Sequence, residues 1–450
     1  MKRIYIIALS ACILSSVVSC SFLKEQTFTS LENVYDTEIA LETDVRGIIR
    51  GVEDTGYVGE ALQHLQFSSA LVHWNGTTGR INDERWGSSL RQLNYSSMTT
   101  NLKMYTAFYS AINNCNVLLQ GLETSPVDKD YKKEIEGEAK FSRAFLYFSL
   151  VRLYGDVPLA LSAVSTSDQY RALPRESYYK VYAQIVTDLK DAWAQMRTPE
   201  RVIAVTGTQG RPNKWAAKAL LSAVYLNIAS ILTVPQNENF YDETKPGRKP
   251  DFSALGINDA QKAWELTLST AEDVIENGPY RLAKNFGDLF KWTAGYIDAY
   301  GKDSWNLDER ILVIQGTGTN TANYCSTRTL MQYPEGAQVP PGTTTTFQGG
   351  IRPTRFFFQK WCETMEGEMG TSDLQKNIYV DCDDPRLKLS LFYGQFTQCS
   401  DGANVKIYPN GMEYTMGGLR PMPFYKKYLT PTYKGIPDVA DFYLMRFAEV

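Results

Sequence analysis

The chain has 450 residues, 46 basic and 50 acidic, for a net charge of -4; it carries no polycationic footprint, so nucleic acid is not an expected partner and anions gain no general attraction. An apolar content of 43% can bury a large core, and the length alone would allow roughly two or three domains. Two histidines, with no HExxH, no GxSxG and no phosphate-cradling glycine loop, leave the common enzyme classes without their parts, so no catalytic residue, metal or cofactor is assigned.

Lys2 and Arg3 stand before an uncharged apolar run from Ile4 to Val18, the pattern of a secretory signal. At about fifteen residues the run is shorter than the roughly twenty that span a bilayer. It closes on Val17, Val18, Ser19 and Cys20, which resembles a lipobox. The resemblance makes residues 1–19 a signal peptide and Cys20 the lipidated first residue of the mature chain, each buried methylene of its acyl chains contributing about 0.8 kcal/mol. Ser21 follows, where an Asp in lipobox proteins favours inner-membrane retention, so onward transport is compatible with the sequence. No later stretch reads as long and apolar enough to cross a membrane. Beyond Cys12 and Cys20 the cysteines are Cys115, Cys325, Cys362, Cys382 and Cys399, an odd set that leaves at least one unpaired. A disulfide is possible among Cys362, Cys382 and Cys399, and the absence of CxxC or His-rich spacing argues against zinc.

From Leu31 to about Tyr280 helix-period segments alternate with Gly, Pro and Asn punctuation, so this half is expected to be mostly α. Tyr105, Phe108, Ile112, Cys115 and Leu119 share one helix face, which Gly121 is expected to end. Glu138 to Tyr154 is apolar on nearly all sides, with Phe141, Phe145, Phe148 and Val151 on one stripe, and reads as a buried helix whose Arg143 and Arg152 require partners. Val181, Ile185, Leu189 and Trp193 define the next face. After Pro212 come Ala217, Leu220, Val224 and Ile228, with Ala216, Ala219 and Ala223 permitting close helix contact. Trp264, Leu268, Ala271 and Ile275 form a further stripe, closed by Gly278 and Pro279. Trp193, Trp215 and Trp264 are read as core. Helix pairs in sequence suggest a tetratricopeptide-like array.

After Tyr280 the chain turns irregular and loop-rich. Ile311 to Ile314 reads as a strand, and Gly342 to Gly350 as a loop. Loops on a helical scaffold commonly carry binding residues, and Trp and Tyr in polar loops, with hydrogen-bonding groups around them, are the natural candidates for ligand contact. HWNGTTGRINDERW places Trp74 and Trp86 beside Asn75, Arg80, Asn82 and Asp83, and a second segment carries Trp292, Tyr296, Tyr300 and Trp305. Trp74, Trp86, Trp292, Tyr296 and Trp305 are the candidate ligand-binding residues. Asp381, Cys382, Asp383 and Asp384 are oxygen-rich but lack EF-hand spacing, so a turn is expected there and no calcium site. Paired carboxylates for glycoside hydrolysis depend on spatial separation, which a sequence does not supply.

Several segments together resemble the SusD-like (RagB/SusD) family. The strongest is EAKFSRAFLYFSLVRLYGDVPLA, Glu138 to Ala160. LPRESYYKVYAQIVTDL, GRPNKWAAKALLSAVYL, DERILVIQ and DPRL agree in the same order. The resemblance implies a mostly α fold of tetratricopeptide-like helix pairs, with an irregular loop-rich second half containing short strands. It implies one domain over 20–450, with a helical scaffold mainly in 31–280 and a loop-rich part in 281–440. YLMRFAEV, Tyr443 to Val450, looks like the start of a further family helix, so the C-terminus is expected to be truncated. By resemblance the chain is a non-enzymatic lipoprotein of the outer membrane, facing the exterior. It would bind an oligosaccharide, close to the aromatic segments named above, and pass it to a SusC-type TonB-dependent transporter. Peptide or other nutrient cargo, a helical scaffold that binds only protein, and a glycosidase with two facing carboxyl groups are the rival readings.

Overall fold

The computed structural model describes residues 34–53, 72–74, 99–206, 211–233, 250–286, 289, 309–314 and 442–450, with short pieces between 337 and 425. Its helices are α1 (Glu38–Glu53), α2 (Thr99–Thr124), α3 (Lys129–Tyr154), α4 (Ser167–Ala172), α5 (Tyr178–Gln195), α6 (Pro199–Thr206), α7 (Lys214–Thr233) and α8 (Ala260–Asn277). Its strands are β1 (Val72–Trp74), β2 (Val157–Pro158), β3 (Arg175–Glu176), β4 (Arg310–Ile314), β5 (Ala337–Gln338), β6 (Ile351–Pro353), β7 (Leu391–Phe392), β8 (Phe396–Gln398), β9 (Val405–Ile407), β10 (Tyr414–Met416), β11 (Phe424–Tyr425) and β12 (Phe442–Arg446). The fold is mostly α, and each long helix packs on the next: α1 on α2, α2 on α3, α3 on α5, α5 on α7 and α7 on α8. That is the layered order of a helical array in which neighbours bury each other's apolar faces.

Local chemistry sets the ends of α3. The Asp128 carboxylate accepts from the Asp130 and Tyr131 N–H groups at 2.9 and 3.0 Å, satisfying donors that an unfinished helix leaves open. At the other end Gly155 takes φ +67°, a conformation open to glycine at little cost, and its N–H closes on the Val151 carbonyl. Between these caps every residue from Gly137 to Val151 except Lys140 is buried, as a helix apolar on all sides requires. Gly137 lets α3 approach the end of α5, because a Cβ there would stand 2.8 Å from the Met196 nitrogen. Gly137→Ala should therefore destabilise the protein by about 1–2 kcal/mol in urea titration, overpacking outweighing the helix propensity that Ala gains. A stabilised variant would show that this contact is not tight.

The predicted faces of α2, α5 and α7 are the buried ones, with Phe108, Ile112, Cys115, Val181, Ile185, Leu189, Ala217, Leu220, Val224 and Ile228 all in the core. Four readings are corrected. Gly121 does not stop α2, which runs on to Thr124; the glycine is there because a Cβ would collide with the Tyr35 ring. Lys214–Thr233 is long and apolar enough to cross a membrane by length and composition, yet it packs between α5 and α8 with much of its surface buried, which accounts for its apolar content. On α8 the buried face is Ala263, Thr270, Ala271 and Val274, small residues that seat against α7, while Trp264, Leu268 and Ile275 are 43%, 60% and 46% exposed. Finally, the segment ending at Val450 is not the start of a helix. Phe442–Arg446 is a strand antiparallel to β4, with an irregular register, and a short turn of 3-10 helix follows.

The described strands form small separate sheets: β1 with β6, β2 with β3, β4 with β12, β7 with β11, and four strands in the order β5-β10-β9-β8. The strand read at Ile311 to Ile314 is β4.

Candidate functional site

Of the sequence-predicted ligand residues, Trp74 lies on β1, where its backbone is paired with Ile351 of β6. The ring of Trp74, together with Trp86, Trp292, Tyr296, Trp305 and the lipidation residue Cys20, lies outside the described residues, as do Asp381 to Asp384. The β1–β6 pairing joins the first aromatic segment to the end of the Gly342 to Gly350 stretch. The second aromatic segment leads instead into β4, which belongs to another sheet.

Two buried sets of charges tie the described helices together. Arg143 on α3 makes a bidentate pair with Asp188 of α5, both bonds 2.8 Å, and gives a third bond to the Asn116 Oδ1 of α2 at 2.9 Å. Asn116 in turn donates to the carbonyls of Ala160 and Ser162, fixing the segment after β2. Arg152 caps the Phe148 carbonyl and lies over the Phe148 ring. The second set centres on Arg197, whose side chain is fully buried. It donates to Glu134 at 2.7 Å, Glu42 at 2.7 Å and Glu138 at 3.4 Å, above the Tyr131 ring. Arg211 pairs with Glu42 and Glu138, and Arg201 pairs with Glu134. This set ties α1, α3, α6 and the segment before α7 together. Nothing in local periodicity brings residues 42, 138, 197 and 211 to one place; only Glu138, a carboxylate opening a helix read as buried, hinted at it.

Two concavities flank these helices. A polar cleft of 820 Å³ lies between the second half of α2, the first half of α3 and residues 161–163, with Gln195 on its wall. A more apolar groove of 410 Å³ runs beside α7 and α8 and reaches Leu444 and Val450. Trp264 lines that groove and donates its Nε1–H to the Thr233 hydroxyl at 3.2 Å. An exposed, oriented indole is what sugar stacking needs, so Trp264, read as core, joins the candidate rings. Trp193 and Trp215 are half-buried and pack edge to face, with centroids 4.8 Å apart. Lys214 and Lys218 both lie over the Trp193 ring, a packing role rather than an open platform.

A family model described as starch-binding, associating with outer membrane, matches residues 22–226. SusD-like protein P2 of Formosa agariphila is 26% identical over 253 residues, covering 54% of this chain and 48% of its own. A SusD homolog from Bacteroides thetaiotaomicron shares the fold with a TM-score of 0.65 at 15% identity, over 94% of this chain and 74% of that one. The chain is similar to the SusD-like family over residues 22–226 and shares the fold of its solved members. It spans about half the length of P2, the curated relative matched over the most residues. A SusD-like protein described as laminarin-binding has the same fold, with a TM-score of 0.58 at 17% identity over 92% of this chain and 77% of its own. Among the described residues, α8 of this helical array carries the candidate ring Trp264.

Proposed function

We propose that this chain is a lipoprotein anchored through Cys20 on the outer face of the outer membrane, where it binds a nutrient oligosaccharide and delivers it to a SusC-type TonB-dependent transporter. No bond is made or broken. The observation that carries this reading is the match of residues 22–226 to a family of starch-binding, outer-membrane-associated proteins; the fold shared with a laminarin-binding protein supports it. In this reading residues 20–450 act as one domain, with the helices of 31–280 as scaffold and the 281–440 part supplying loops. Trp74, Trp86, Trp292, Tyr296 and Trp305 are its sugar-facing rings, since an aromatic face against pyranose C–H groups contributes beyond area burial.

Calorimetric titration of the mature chain lacking Cys20 with a glycan panel should show saturable binding. Trp74→Ala or Trp305→Ala should weaken it about tenfold or more, about 1.4 kcal/mol, with the helical circular dichroism signal unchanged. Absence of binding across the panel would transfer the cargo to a peptide or leave a protein-binding scaffold. Binding that both variants leave intact would remove these rings from the site.

A further inference from the structure

We infer that the cleft between α2, α3 and residues 161–163 is a second carbohydrate site, on the helical half, that takes a short neutral oligosaccharide. At 820 Å³ it falls within the roughly 300–1,000 Å³ of small-molecule pockets. Four lysines line it, Lys129, Lys132, Lys133 and Lys140, which would by themselves suggest an anion. Two of the four have carboxylate partners and a third is tied to a backbone carbonyl. Lys140 binds Glu136 and Asp191, each at 2.7 Å; Lys133 binds Asp130 at 2.9 Å; Lys132 donates to the Ser125 carbonyl at 2.7 Å. Counting Glu123 on the α2 wall, four positive groups stand with four negative ones, Glu123, Asp130, Glu136 and Asp191. An anion would meet the repulsion of these carboxylates, whereas a polyol fits among both kinds of group, its hydroxyls donating to carboxylates and accepting from ammonium N–H groups.

The remaining lining suits the same ligand. Leu119 and the rim residue Leu161, 45% exposed, offer apolar surface to a sugar's C–H face. Gln195, on the cleft wall, has its Oε1 buried with no hydrogen-bond partner among the described residues, an acceptor that a sugar hydroxyl would satisfy. Among the described residues no aromatic ring lines the cleft, so affinity should be low, with a Kd of about 1 mM. The inference rests on the glycan-binding reading only for the class of molecule, and uses none of the rings assigned there.

The test uses the mature chain lacking Cys20 and its Trp74→Ala/Trp305→Ala variant. Laminaritriose, maltotriose and xylotriose are titrated by saturation-transfer NMR, with trigalacturonate as the anionic counterpart. At least one neutral trisaccharide should still bind the double variant weakly. Adding Leu161→Asp, which removes the apolar rim surface from an exposed position, should reduce that binding about tenfold or more, and Lys129→Gln should weaken it without blocking the cleft. Loss of all neutral binding in the double variant overturns the second site and leaves the loop site standing. Insensitivity to Leu161→Asp, or a tenfold preference for trigalacturonate, also overturns it. If wild type itself binds none of the three neutral sugars, the second site falls, and the loop-site reading falls with it only where the whole glycan panel is silent too.

Discussion

Replacing Arg197 by Ala should lower the unfolding free energy by about 3–5 kcal/mol, the range for breaking a buried ion pair from one side. The reason is geometric. The guanidinium meets Glu42, Glu134 and Glu138 at once, and Glu138 is itself fully enclosed. Without Arg197 the three carboxylates keep, among the described residues, Arg211, the more exposed Arg201 and the Tyr131 hydroxyl on Glu42. Arg197→Lys should recover part of the loss, since one ammonium cannot reproduce three directed bonds. Glu42 is the only α1 residue in this set, so hydrogen exchange should report α1 opening first, with protection lost at Leu41, Val45 and Ile48. Uniform loss of protection across all helices would refute the local role.

The same latch gives a pH dependence. Burial alone pushes the Glu42 carboxyl up, but the Tyr131 and Arg197 hydrogen bonds and the charges of Arg211 and Arg197 more than offset it and hold the group below the usual carboxylate range. A depressed carboxylate stabilises the fold above its unfolded value, about 4.3, and that contribution is lost as pH falls through the folded value. The stability difference between wild type and Glu42→Gln should therefore be full near neutral pH and shrink below about pH 4. A difference that grows on acidification would reverse the sign and the explanation.

How much of this was legible in the sequence follows from the range of each signal. The faces of α2, α3, α5 and α7 were readable because a 3.6-residue period writes burial into local spacing. On α8 the same rule pointed to Trp264, Leu268, Ala271 and Ile275, of which Ala271 alone is buried, and missed its small neighbours Ala263, Thr270 and Val274; periodicity gives a stripe but not which neighbour it meets. Gly121 was read as a stop because its partner, Tyr35, lies far away in sequence. Phe442–Arg446 was read as helical because its partner strand β4 is distant too. The network of Glu42, Glu138, Arg197 and Arg211 is assembled wholly by tertiary structure. Composition marked Trp74, Trp86, Trp292, Tyr296 and Trp305 as loop aromatics, while the polar cleft carries no motif, being made of ordinary lysines, leucines and glutamates brought together by α2 and α3.

Arg143→Met is the second variant expected to cost about 3–5 kcal/mol. It leaves Asp188, 1% exposed, with Gln184 as its remaining side-chain partner and strips Asn116 of the charge-assisted bond that holds its amide. Asn116 then holds the carbonyls of Ala160 and Ser162 less firmly, so the wall of the cleft at residues 161–163 should loosen along with the α3–α5 contact. Arg143→Met/Asp188→Leu removes both charges and should be less destabilised than the sum of the single changes, by roughly 1–3 kcal/mol of coupling. Cys115 provides an independent readout. It is buried in the same layer, and burial pushes its thiol far above the ordinary range, so it should resist alkylation in the wild type. Peptide-level mass spectrometry should find Cys115 modified faster in Arg143→Met and slower again in the double variant. Additive unfolding energies with unchanged Cys115 labelling would mean that the Arg143–Asp188 pair is a passenger, and that apolar packing alone holds α2, α3 and α5 together.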